Sequence, residues 1–190
     1  MKRKTFLSLC FVFPFILSGC MEKEITKMDV EMFNASGDSL GTIKVSEQPE
    51  GVKFEVMLEG LPEGEHGINI HEKGTCKGPD FKSAGDHLNP DDKKHGLLHP
   101  EGAHAGDLPN VISENGKTEA ELMAPQLTLK SGKKNSMLDP DGAAIVITEK
   151  MDDGMTQPAG DSGARIACGE VTEKEANRGD KKEVKSEEEE

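Results

Sequence analysis

The segment Gly67-Ile68-Asn69-Ile70-His71 alternates apolar and polar side chains. In an extended chain successive side chains point to opposite faces, so Ile68 and Ile70 share one side and Asn69 and His71 the other. The sequence therefore predicts a strand with one core face and one face available for chemistry. The same period of two recurs on the N-terminal side: Met28, Val30 and Met32 alternate with polar residues, and Ser36-Gly37-Asp38-Ser39 turns the chain into a strand at 41–45. Val52, Phe54, Val56 and Leu58 repeat the pattern before the turn Pro62-Glu63-Gly64. Further strand signals lie at 119–123, 126–129, 143–148 and 164–168, each bounded by Gly, Pro or Asp. There is no convincing amphipathic helix. Short strands at regular spacing with two long loops, 72–110 and 149–163, define an all-β class.

Downstream of His71 the periodicity stops. Residues 72–110 are rich in Gly, Pro, Asp and His, and a loop this long in a compact domain is usually functional. It carries His87, His95, His104 and Asp107, with His71 at its start and Cys76 inside it. Imidazole and carboxylate suit zinc or copper, and three histidines with one aspartate complete a four-coordinate zinc set. A metal held there would order the loop. His66 has parity opposite to His71 and is expected to be a hydrogen-bonded structural residue rather than a ligand. His99 is expected to be exposed and idle, a substitute metal donor being the alternative.

The ends of the chain have a different character. Lys2, Arg3 and Lys4 precede an apolar run over residues 6–17 and then Leu17-Ser18-Gly19-Cys20. This is the pattern of a signal peptide at 1–19, too short to remain as a spanning helix. The tetrapeptide resembles the lipobox of bacterial lipoproteins, which implies a lipid on Cys20, a charged tether over 20–27, and anchorage outside the cytoplasm. Of the four cysteines, Cys10 would leave with the signal and Cys20 would carry the lipid. Cys76 and Cys168 remain, on the oxidising side of a membrane, and most simply form one disulfide. The formal net charge is −13, and removing residues 1–19 takes away three positive charges to leave −16. That balance argues against nucleic acid as a partner and leaves membrane attachment to the lipid. Four of the seven Phe precede Cys20 and there is no Trp or Tyr, so the core must be built from Val, Ile, Leu and Met. From about residue 171 to 190 the composition turns to Glu, Lys, Asp and Asn, which predicts a disordered tail.

Over about residues 28–170 the chain resembles the Cu/Zn superoxide dismutases. The motifs that carry the resemblance are His66-Gly-Ile-Asn-Ile-His-Glu-Lys-Gly-Thr-Cys76, Ala84-Gly-Asp-His-Leu-Asn-Pro90, Lys94-His-Gly96 and His104-Ala-Gly-Asp-Leu-Pro-Asn110. Glu149-Lys-Met-Asp-Asp153 and Gly163-Ala-Arg-Ile-Ala-Cys-Gly169 follow in the expected order. The resemblance implies an eight-stranded Greek-key β-sandwich or barrel with a zinc loop, an electrostatic loop and a Cys76–Cys168 bridge. It implies that His87 bridges copper and zinc, that His95, His104 and Asp107 complete the zinc set, and that His71 is a copper ligand. Asp152 matches an aspartate that hydrogen-bonds a ligand on each metal side, and Arg165 an arginine that attracts the superoxide anion.

The resemblance breaks at two places. The other two copper-ligand positions fall on Asn69 and Thr148. Dismutation needs a metal that alternates between oxidation states, and an amide or hydroxyl oxygen serves Cu(I) poorly, so copper affinity is expected to fall by orders of magnitude. Zinc has no redox chemistry and cannot replace copper in turnover. The expectation is therefore one zinc per chain, copper weak or absent, a vestigial Arg165, and a dismutase-like lipoprotein whose activity is lost or weak. Two alternatives are an active dismutase with copper on His71, His87, water and His99, and an extracytoplasmic copper-handling protein. No dimer signature is present, so the oligomeric state is left open.

Overall fold

The computed structural model describes residues 24–139 and 141–178. The signal segment and Cys20 lie outside the described residues. Strands β1 (Lys27–Asn34), β2 (Ser39–Gln48) and β3 (Gly51–Glu59) form an antiparallel meander whose burial alternates as their sequence does. β4 (Gly64–His66) and β5 (Ile68–His71) are two halves of one run that changes partner at Gly67. β6 (Val111–Ser113), β7 (Lys117–Ala124), β8 (Ala143–Thr148) and β9 (Arg165–Val171) complete the set. Counting β4–β5 as one pass gives the expected eight among the described residues.

The main sheet has the order β5-β8-β9-β1-β2-β3-β7, and β4 pairs with β6. The chain thus returns at its end to lay β9 beside β1, as a Greek key does. Met32, Ile43, Phe54, Leu58, Ile68, Ile70, Ile145 and Ile147 are fully buried in one continuous core. β8 is buried on both faces. Ile145 and Ile147 face the core, while Ala144 and Val146 pack under Phe81, Ala84 and Cys168. The long loop after β5 therefore covers the outside of the sheet, and the Cys76–Cys168 disulfide fastens it there.

Three local expectations need correction. Residues 126–129 are not a strand: Leu127 and Leu129 are buried, but the Glu47 carboxylate takes the Leu129 amide at 2.7 Å and the Thr128 hydroxyl at 2.9 Å. Backbone pairing is limited to a single bridge between Thr128 and Ser136, and the Glu47 side chain takes the next amide. Conversely β6 forms where the sequence reading placed none. The domain also runs past residue 170. Val171 is a buried strand residue, and a helical turn over 173–178 follows with Ala176 in the core. Thr172 Oγ1 accepts the Glu175 amide at 3.2 Å, half of a Thr-x-x-Glu capping box hidden in a charged composition.

Candidate metal centre

The loop after β5 is stitched to the free edge of that strand. Ile70 N donates to Gly106 O and Leu88 N to Ile70 O, both at 2.8 Å, and Gly106 N donates to Leu88 O at 2.9 Å. Bridges pair Asn69 with Asp107 and His71 with His87. Two distant parts of the loop are so brought beside the Asn69–His71 face.

His87, His95, His104 and Asp107 are all buried, and their potential ligand atoms lie within 4.8 Å of one another. His87 Nδ1 and His95 Nδ1 approach Asp107 Oδ1 at 2.8 and 3.1 Å. His104 Nδ1 lies 3.3 Å from the same oxygen but outside hydrogen-bonding geometry, and it is left without a partner. Asp107 Oδ2 is fixed by the amides of Gly96 (2.8 Å) and His104 (2.9 Å). Three imidazole nitrogens aimed at one carboxylate oxygen, one of them unsatisfied, is the arrangement a cation would complete. The donor set, N3O, fits zinc.

The electrostatics agree. Burial alone would raise the Asp107 carboxyl, but His104, His87, His95 and the Gly96 amide outweigh it and hold Asp107 well below the carboxylate range. Burial likewise opposes charge on His95, yet Asp107 and Asp152 push it up to about 9. The cluster demands positive charge, which a proton on His95 or a metal ion can supply.

Of the positions that the resemblance implies for copper, other than His87, only His71 carries a histidine. Its Nδ1 meets Gly85 O at 2.9 Å, and its ring lies 4.9 Å from that of His87. Burial, then the His87 charge, pushes His71 down to about 3, so it is a neutral imidazole with Nε2 as lone-pair donor. Asn69 donates from Nδ2 to Asp152 Oδ2 at 3.3 Å and accepts the Leu108 amide at 3.4 Å. Thr148 Oγ1 lies 3.2 Å from Gly67 O and 3.1 Å from Lys150 O. Both replacements are turned to protein partners. Arg165 donates to Phe81 O at 2.9 Å and Gly85 O at 2.8 Å, so it shares the Gly85 carbonyl with His71.

His66 is buried with its ring nitrogens 2.8 Å from Thr148 O and Pro62 O, as expected for a structural residue. His99, expected to be exposed, is half-buried, and its Nδ1 accepts the Glu101 amide at 3.0 Å. Two residues that sequence reasoning missed tie the 149–163 loop to the centre. Gln157 exchanges two 2.9 Å hydrogen bonds with the backbone of His95, and Asn110 does the same with the backbone of Asp152. An amide side chain in a loop has no periodicity to betray it.

A Greek-key β fold with a buried three-histidine, one-aspartate cluster in the first of two long loops defines a metal-binding β-sandwich of the dismutase type. Residues 39–171 match the family model for copper/zinc superoxide dismutase, and the chain belongs to that family. It is 44% identical over 147 residues to superoxide dismutase [Cu-Zn] 2 of Aquifex aeolicus, covering 76% of this chain and 86% of that protein. It is equally 44% identical over 143 residues to the superoxide dismutase-like protein YojM of Bacillus subtilis, covering 74% and 73%. The crystal structure of a superoxide dismutase-like protein from Bacillus subtilis superposes with a TM-score of 0.74 at 43% identity, over 76% of this chain and 97% of that one. A double mutant of such a protein, with two positions changed to histidine, gives the same TM-score at 44% identity, over 76% and 96%.

Proposed function

We propose that this protein is a zinc-binding, extracytoplasmic lipoprotein of the copper/zinc superoxide dismutase family in which dismutation is lost or weak. The observation that carries the reading is the contrast between the two halves of the site. His87, His95, His104 and Asp107 form a complete buried set, while Asn69 and Thr148 spend their polar atoms on Asp152, Leu108 and backbone carbonyls. Zinc held by that set would supply a cross-link between the loop and the sandwich, not redox chemistry. A lipid on Cys20 would keep the domain at the membrane.

The test is metal analysis of protein loaded with both metals and then dialysed, together with a superoxide assay. About one zinc per chain and little copper are expected. Stoichiometric, dialysis-resistant copper with dismutase activity would establish the enzyme reading instead. Cys20→Ser should abolish membrane retention in a bacterial host.

Copper handling is the second reading, and His71 favours it. With Nδ1 fixed on Gly85 O, its neutral ring offers Nε2 beside His87, an open pair of imidazoles. Transfer of Cu(I) from the loaded protein to an acceptor protein would distinguish this reading from the first.

A further inference from the structure

We infer that Asn69 is a positioning residue for the zinc centre: it holds Asp152 against the ligand His95 in place of a copper-bound imidazole. The inference rests on the zinc reading above. Asp152 is buried and splits its carboxylate between two duties. Oδ1 lies 2.9 Å from His95 Nε2 and accepts the Gly154 amide at 2.8 Å. Oδ2 accepts from Asn69 Nδ2 at 3.3 Å. His95 presents its other nitrogen, Nδ1, to the cluster around Asp107. A carboxylate on the far nitrogen of a ligating imidazole fixes the ring and raises its basicity as a ligand.

Asn69 is only 1% exposed, so its chemistry is set by its neighbours. It must offer a donor to Asp152 and an acceptor to the Leu108 amide, which belongs to the residue after the ligand Asp107. An apolar residue would leave a buried carboxylate oxygen and a buried amide unpaired. Aspartate would set two carboxylates against each other. An amide removes the imidazole nitrogen that a copper ion needs and still satisfies both neighbours. The zinc half of the site is thereby supported without a metal on the copper half.

The experiment measures zinc dissociation constants by chelator competition for the full chain carrying Asn69→Leu, Asn69→His and Asp152→Ala, and the double variant Asn69→Leu with Asp152→Ala. Asn69→Leu should weaken zinc by about 10-fold or more, as loss of such supporting hydrogen bonds does. Asn69→His, which keeps a donor for Asp152, should stay close to the parent. Once Asp152 is alanine, Asn69→Leu should add no further loss, because the effect passes through that carboxylate. Asn69→Ala takes the place of the leucine variant if the latter does not fold. An unchanged zinc affinity in Asn69→Leu, or the same loss with Asp152 already removed, would overturn the inference while leaving the zinc reading intact. A parent chain without zinc affinity would remove the proposed function, and this inference with it.

Discussion

The backbone of Gly96 packs directly on that of Gly154: a Cβ at residue 96 would sit 2.0 Å from the Gly154 carbonyl oxygen. Gly96 follows His95 of the candidate metal cluster, donates its amide to Asp107 at 2.8 Å, and has φ near +110°. Gly154 O also accepts the Leu98 amide at 3.1 Å. The two long loops therefore meet through a contact only glycine permits, one residue from the metal cluster.

Gly96→Ala should both strain the backbone and push the loops apart. The conformational cost alone is of order 1–3 kcal/mol. Thermal melts should show a lower midpoint with and without zinc, and zinc affinity should fall because Asp107 loses a fixed donor. Unchanged melting would mean that the loops can separate without cost.

The strand parity at Asn69 and His71 was legible from residues alone because apolar and polar side chains alternate along β5, although all four of its residues are buried. The same argument does not reach Thr148. β8 reads Ala-Ala-Ile-Val-Ile before Thr148, with no polar alternation, and its register with β9 shifts between Ile147 and Thr148, so pattern there does not report which way a side chain points. The zinc set was legible as a collection of donors. What brings them together, the stitching of Ile70 to Gly106 and Leu88, consists of backbone hydrogen bonds that leave no mark on side-chain pattern. β6 escaped because three residues cannot display a period. The docked turn at 173–178 was masked by averaging composition over a segment in which one alanine and one threonine matter.

His104 offers the cleanest separation of metal effects from packing. Its Nδ1 has no hydrogen-bond partner among the described residues, whereas His87 and His95 both hydrogen-bond Asp107. His104→Ala should lower the melting temperature strongly in zinc and little in chelator. Asp107→Ala should lower it in both, since Oδ2 anchors two backbone amides. Equal losses for His104→Ala in the two conditions would show that this ring acts by packing.

The Cys76–Cys168 bridge spans 92 residues and joins the loop to β9. On the chain-entropy model a closed loop of that size stabilises by roughly 4–5 kcal/mol. Cys76→Ser should therefore lower the melting point by more than any single surface change, and reductant should reproduce the effect in the parent only. Mass mapping of exported protein under non-reducing conditions should find the two cysteines linked; two free thiols would contradict it.

Restoring the copper ligands is the most demanding prediction. Asn69 shares a strand face with His71, so a histidine there would point toward the same site and keep a donor for Asp152. Thr148 packs against Gly67, whose missing Cβ makes way for the Thr148 hydroxyl, and a histidine there would give up its contacts with two backbone carbonyls and must displace its buried neighbours. Asn69→His with Thr148→His should supply, with His71 and His87, four imidazoles beside Arg165. The double variant should bind Cu(II) and exceed the parent in a superoxide assay by several orders of magnitude, with either single change gaining less. A parent that already matches it would mean that Asn69 and Thr148 do not limit catalysis. A double variant that binds copper and stays inactive would shift the cause to Arg165, whose guanidinium is engaged by the carbonyls of Phe81 and Gly85.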